Sequence, residues 1–169
     1  MHMKQLTLVL LLAILALPRE SAFSGGWGRT FAIEISGDAL AQPIVITDPT
    51  IVEALSFWVG PGTGFSEFMG PVNLERSIVA WDRGEATDKP DGLVSYKVRF
   101  LLEPQNDPPA FTVLYESDPQ SDSGYIYYPT RTNSIVTHSV EGTWKYASAQ
   151  WNDKVGDAIA ANLQSLSAQ

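Results

Sequence analysis

The sequence predicts an α+β domain. It implies a mostly antiparallel sheet of about six or seven strands, a short early helix, and a C-terminal amphipathic helix packed on one face. Three observations carry this. Apolar and polar residues alternate in 29–36, 93–103 and 111–117, the period of two of a half-buried strand. Thr47-Asp48-Pro49 has the chemistry of a helix start. After Ser148 the apolar period lengthens to steps of four and three, as on a helical stripe.

The first strand is RTFAIEIS (29–36), with Phe31, Ile33 and Ile35 on one face. Gly37-Asp38 opens a turn, and Pro43 precedes a short apolar strand at 44–47. The short polar link between them predicts an antiparallel pair. Asp48 can accept a hydrogen bond from a free backbone N–H of the next helix. Pro49 suits the first helical position, where an N–H would have been unpaired anyway. Ile51, Val52 and Leu55 give this helix its apolar side, and Trp58 lies near its end. GPGTG (60–64) then breaks regular structure.

SIVAW (77–81) predicts a strand, closed by Asp82-Arg83-Gly84 and followed by a polar loop to Gly92. In 93–103, Val94, Tyr96, Val98, Phe100 and Leu102 share one face, and Ser95, Lys97 and Arg99 the other. The strand at 111–117 sets Phe111, Val113 and Tyr115 in register. A further strand at 125–128 follows SDPQSDSG, and shorter strands at 135–139 and 143–146 flank a Glu141-Gly142 turn. Ser148 is the expected N-cap of the last helix, whose stripe is Trp151, Val155, Ile159, Leu163 and Leu166.

The N-terminus reads as a secretory signal peptide at 1–24. Lys4 precedes an apolar run of 12 residues (6–17), Pro18 ends it, and Ala22-Phe23-Ser24 supplies small residues for cleavage before Gly25. The run is shorter than the ~20 residues that span a bilayer. Residues 25–169 are then a single globular domain, secreted or periplasmic, with no stable membrane anchor after cleavage. There is no cysteine, so disulfides, lipidation at cysteine and thiolate metal sites are excluded. Removing Lys4, Arg19 and Glu20 from 11 basic and 19 acidic residues leaves 9 and 18, a net charge of −9. Such a surface repels phosphate backbones, so nucleic acid is not an expected partner.

Little of the sequence looks like catalytic chemistry. His138 is the one histidine outside the signal segment, and it sits in an apparent strand without a nucleophile motif. GPGTGF lacks the Lys-Ser/Thr of a phosphate loop. Asp118, Ser121, Asp122 and Ser123 before Gly124 have the wrong spacing for a calcium loop and lack its closing Glu. They suit a hairpin turn. No metal and no cofactor are expected. Aromatics are the surplus: Tyr115, Tyr125, Tyr127, Tyr128, Trp144, Tyr146 and Trp151 all fall in the second half. Tyr125 and Tyr127 share one strand face, Ile126 and Tyr128 the other. Either Tyr125 and Tyr127 lie under the Trp151 stripe as core, or they face outward as a recognition surface.

The chain resembles uncharacterised predicted secreted bacterial proteins in RTFAIEISGDALAQPIVITDP leading into a helix, in GYIYYP and in VEGTWKYAS. The resemblance covers most of 25–169; it implies export and a single domain, and no activity or site. The functional expectation is an exported, non-enzymatic domain that binds a protein or small-molecule ligand through aromatic sheet or loop residues. Its contacts are Trp58, Tyr125, Tyr127 and Trp144. The alternatives are a small secreted carboxylate hydrolase acting on a glycan, with Glu116, Asp118 and Asp122 nearest the aromatic strand, or a structural envelope-associated protein.

Overall fold

A computed structural model describes residues 30–57, 59–61, 73–102, 110–118, 123–129 and 142–167. Six strands form one antiparallel sheet: β1 (Thr30–Ser36), β2 (Ile44–Ile46), β3 (Val94–Leu102), β4 (Ala110–Asp118), β5 (Ser123–Tyr127) and β6 (Trp144–Tyr146). Their order is β2-β1-β3-β4-β5-β6, so β3 to β6 is a simple meander. Helix α1 (Pro49–Ala54) and two 3-10 turns, Leu74–Arg76 and Trp81–Arg83, lie between β2 and β3. The C-terminal helix is α2 (Ala149–Trp151), a π-helical turn (Asn152–Gly156) and α3 (Asp157–Ser167) in succession. This is the α+β fold that the alternation and the period change predict.

The caps form as their chemistry requires. Asp48 accepts from Thr50 N at 2.8 Å and from Thr50 Oγ1 at 2.7 Å, and these bonds hold its carboxyl below the usual range. Ser148 accepts from Trp151 N at 3.2 Å.

One face of the sheet carries the core. Tyr96, Tyr115 and Ile126 stand opposite one another across β3, β4 and β5; Val98 faces Val113, and Phe100 faces Phe111. Both helices pack there, through Val52 and Leu55 near α1 and through Trp151, Val155 and Ile159. Phe57 stacks on Phe111, ring centroids 4.0 Å apart and planes 5° from parallel. Burial pushes the phenols of Tyr115 and Tyr128 upward, so both stay neutral in the core.

Three details depart from the sequence reading. Phe31 is 41% exposed, although its alternation with Ile33 and Ile35 places it inward. A register shift between Thr30 and Ala32 against β3 is the cause: the bulge leaves Phe31 unpaired and turns it out. The stretch 77–81 is no regular strand. It makes isolated bridges, Ser56 to Ser77 and Val79 to Ala147, and then enters the 3-10 turn at Trp81. The cause is a buried side-chain knot. Ser77 Oγ donates to Val59 O at 2.9 Å and accepts from Val79 N at 3.1 Å and Trp81 Nε1 at 2.7 Å. The indole also donates to Val59 O at 3.1 Å, which needs the chain to turn back at Trp81. Gly60 (φ 149°) lies flat on that indole, where a Cβ would meet ring atoms at 2.0–2.2 Å.

Ser77 is fully buried, so Ser77→Ala leaves the Val79 N–H without its acceptor and takes one of two donors from the Val59 carbonyl. The expected loss is about 1–3 kcal/mol in urea unfolding. A change within a few tenths of a kcal/mol would show that the knot does not form.

The third departure is in the C-terminal helix. Trp151, Val155 and Ile159 are buried as expected, but Leu163 and Leu166 are exposed. Steps of four overshoot an α-helical turn by about 40° each. The wider π turn takes up that excess between Trp151 and Ile159. Leu163, one more step of four beyond Ile159, drifts a further turn of about 40° off the buried line. The exposure of Leu166, which returns to within about 20° of Ile159, has no explanation in the helical period.

Trp58, Ser121, Asp122, His138, the expected strand at 135–139 and all of 1–29 lie outside the described residues.

Candidate functional site on the outer sheet face

The alternation that sends Tyr115 and Ile126 inward sends Leu114, Glu116, Tyr125 and Tyr127 to the opposite face. Register then builds two rows across it. Ser36, Lys97, Leu114, Tyr127 and Trp144 stand side by side from β1 to β6. The next row is Ser95, Glu116, Tyr125 and Tyr146.

A strap from the segment 80–93 folds over the second row. It runs along β6 by the bonds Ala80 N to Tyr146 O and Ala86 N to Trp144 O, both 2.9 Å, and this also covers the sheet's β6 edge. Lys145 reaches Glu85 on the strap at 3.2 Å. Arg83 lies over the Tyr146 ring, Cζ 3.6 Å from its centroid, and the Tyr146 hydroxyl donates to Asp88. That bond raises the Tyr146 phenol above its usual range and lowers the Asp88 carboxyl. Lys89 pairs with Glu116 at 2.5 Å and sits 4.7 Å from the centroid of Trp144. Ala86 and Leu93 pack on Tyr125 and Tyr146 in a small second cluster.

The four aromatic residues singled out in the sequence therefore have different settings. Tyr125 is 6% exposed beneath the strap, its ring 5.7 Å from Tyr146, and offers no face to a ligand. It lies neither under the Trp151 stripe nor in solvent. Tyr127 and Trp144 are half-buried at the strap's margin, ring centroids 5.1 Å apart and planes at 41°. Trp58 is outside the described residues.

The acids do not assemble into a catalytic pair in what is described. Glu116 is held by Lys89. Asp118 is described only through its backbone pairing with Ser123. Among the described residues no three metal-ligating side chains converge, and no helix is long and apolar enough to cross a membrane. What the face offers is stacking area at Tyr127 and Trp144, apolar area at Leu114, and cations at its edges.

Arg83, Asp88 and Lys89 were not legible as site residues. In the sequence they belong to a polar loop, and only the pairing of that loop with β6 brings them onto the tyrosines. Lys97 was legible, as a member of the outward face of β3.

No family model matches the sequence, and neither a curated protein nor a solved structure is significantly similar to it. The site's own geometry therefore carries the functional reading.

Proposed function

We propose that the chain is an exported, non-enzymatic binding domain whose recognition surface is the outer sheet face at Tyr127 and Trp144. The observation that supports it is the half-exposed pair of rings, 5.1 Å apart, fixed in place by β-register and by the strap around them. Aromatics held rigidly at a surface provide contact area at little entropic cost, and truncating such anchors weakens binding disproportionately. The signal-like N-terminus supports export, to the periplasm or the medium, and the net negative charge disfavours nucleic acid. The hydrolase alternative gains nothing from Glu116, whose carboxylate is occupied by Lys89.

The test is retention on arrays of immobilised oligosaccharides and peptides, wild type against Tyr127→Ala. Ligands that hold the wild type should bind the variant about tenfold more weakly or worse. Its unfolding midpoint should move little, because Tyr127 is half-exposed already. Undiminished retention of every ligand by a folded Tyr127→Ala would sink this reading.

A further inference from the structure

We propose that the strap residues 85–91 form a lid over the outer face, hinged at Gly84 and Gly92. Opening uncovers Tyr125 and frees the Tyr146 hydroxyl, and so extends the Tyr127–Trp144 surface to a second pair of rings. The opening follows from the strap's own structure. Its use in binding rests on the reading that the Tyr127 face is the recognition surface.

The hinges are the first ground. Gly84 holds φ 72° and ψ −144°, where a residue with a Cβ is strained. Gly92, at φ 78°, is on the same side of the map. The two glycines bracket the segment, and a Cβ added at either would meet nothing within 4 Å. Neither is needed for close packing, so what they supply is backbone freedom, at the two points where a flap has to turn.

The fastening is the second ground. Among the described residues, one backbone hydrogen bond ties 85–91 to the sheet, from Ala86 N to Trp144 O at 2.9 Å. The polar side-chain ties all have a charged end: Glu85 to Lys145 at 3.2 Å, Asp88 to the Tyr146 hydroxyl, and Lys89 to Glu116 at 2.5 Å and over Trp144. Water takes these charges back when the strap lifts, and this offsets much of what the ties contribute. Little apolar area holds the segment down. Ala86 is its one buried residue, while Glu85, Thr87, Asp88, Pro90 and Asp91 are exposed. A segment fastened in this way opens at far lower cost than the core.

What lies beneath is the third ground. Tyr125 and Tyr127 are successive outward positions of β5, about 7 Å apart along the strand. Each is matched on β6, Tyr125 by Tyr146 at 5.7 Å and Tyr127 by Trp144 at 5.1 Å. The two pairs are one array, with the Tyr125 pair under the strap. Arg83 precedes the Gly84 hinge and stays over the Tyr146 ring when the rest lifts. The opened face therefore gains the Tyr125 ring and the Tyr146 hydroxyl. A ligand that binds this wider face better than the closed one shifts the strap open.

The experiment is nitration of the folded protein by tetranitromethane, with each tyrosine followed by peptide mass spectrometry. Tyr127, half-exposed, sets the rate for open access; Tyr115 and Tyr128, in the core, set the rate for global unfolding. In the wild type Tyr125 should react about tenfold faster than Tyr115 and Tyr128 or more, although all three are buried. Gly84→Ala strains only the closed strap, and should raise the Tyr125 rate about five- to thirtyfold while Tyr115, Tyr127 and Tyr128 stay unchanged. Asp88→Ala cuts a separate tie and should raise it about two- to tenfold. A Tyr125 rate equal to those of Tyr115 and Tyr128 in all three proteins overturns the lid. On the oligosaccharide and peptide arrays, ligands lost by Tyr127→Ala should be held more tightly by Gly84→Ala, by the factor that its Tyr125 rate rises. A raised Tyr125 rate with unchanged retention overturns the gating and leaves the Tyr127 surface standing. Undiminished retention by Tyr127→Ala overturns the surface and the gating together, whatever the Tyr125 rate.

Discussion

Trp151→Ala is expected to lower the unfolding free energy by about 3–5 kcal/mol, read from urea denaturation. Trp151 is fully buried, and it ties the C-terminal helix to the sheet at two rings. Its centroid is 5.9 Å from Phe100, and it meets Tyr115 edge-on at 5.8 Å and 76°. It also opens the π turn, so no neighbouring helical residue can swing in to fill its volume without unwinding that turn. A domain of ordinary stability has about 5–15 kcal/mol in total, so this variant should be close to unfolded on warming. The indole N–H makes no hydrogen bond. Replacing it with a ring that lacks that donor removes an unsatisfied buried group, which offsets part of the lost volume. Trp151→Phe should therefore lose far less than Trp151→Ala, by roughly 1–2 kcal/mol. Equal losses in the two variants would show that the polar edge of the indole, and not its bulk, matters here.

The same residue shows what the sequence reveals and what it hides. Trp151, Val155 and Ile159 were readable as one stripe because a helix repeats locally, within a few residues. The long alternations of β3 and β4 were readable for the same reason, and Ser95, Lys97 and Arg99 were placed outward correctly. Alternation says which residues share a face, but not what covers that face. Tyr125 and Tyr127 do share one, yet the strap buries the first and leaves the second half-exposed. That difference is made by Arg83, Ala86, Asp88 and Lys89, which come from before β3 and whose segment is tied to the chain around β6 by two isolated backbone bridges. Contacts between distant segments leave no period in the chain. Phe31 fails in a related way, since a single extra residue in the β1–β3 ladder reverses the side to which it points.

Gly124→Ala is expected to be the second severe substitution, at about 2–4 kcal/mol, although it adds one methyl group. Gly124 pairs with Ser117 on the core face of β5, at the point where the π turn comes down on the sheet. A Cβ there would lie 2.3 Å from Asn152 Oδ1, 2.5 Å from Tyr115 Cε2 and 2.9 Å from the Tyr115 hydroxyl. The Asn152 amide can rotate away, at the cost of the 3.2 Å bond it accepts from Tyr115. The Tyr115 ring cannot, because it is buried between Tyr96 and Trp151. The strain must then pass to the backbone. Gly124 O accepts from Ala147 N at 2.8 Å, so a shifted β5 pulls on the chain just beyond β6. Asn152→Ala placed on top of Gly124→Ala should recover only the smaller part of the loss, and a double-mutant cycle reads that coupling directly. Full recovery would mean that the tyrosine ring yields and that the core around it is looser than its burial implies. Because β5 also carries Tyr127 on its other face, the folded fraction of Gly124→Ala should show an altered Tyr127–Trp144 pair, visible as a changed near-ultraviolet signal. Core packing on one side of this strand thus sets the geometry of the rings on the other.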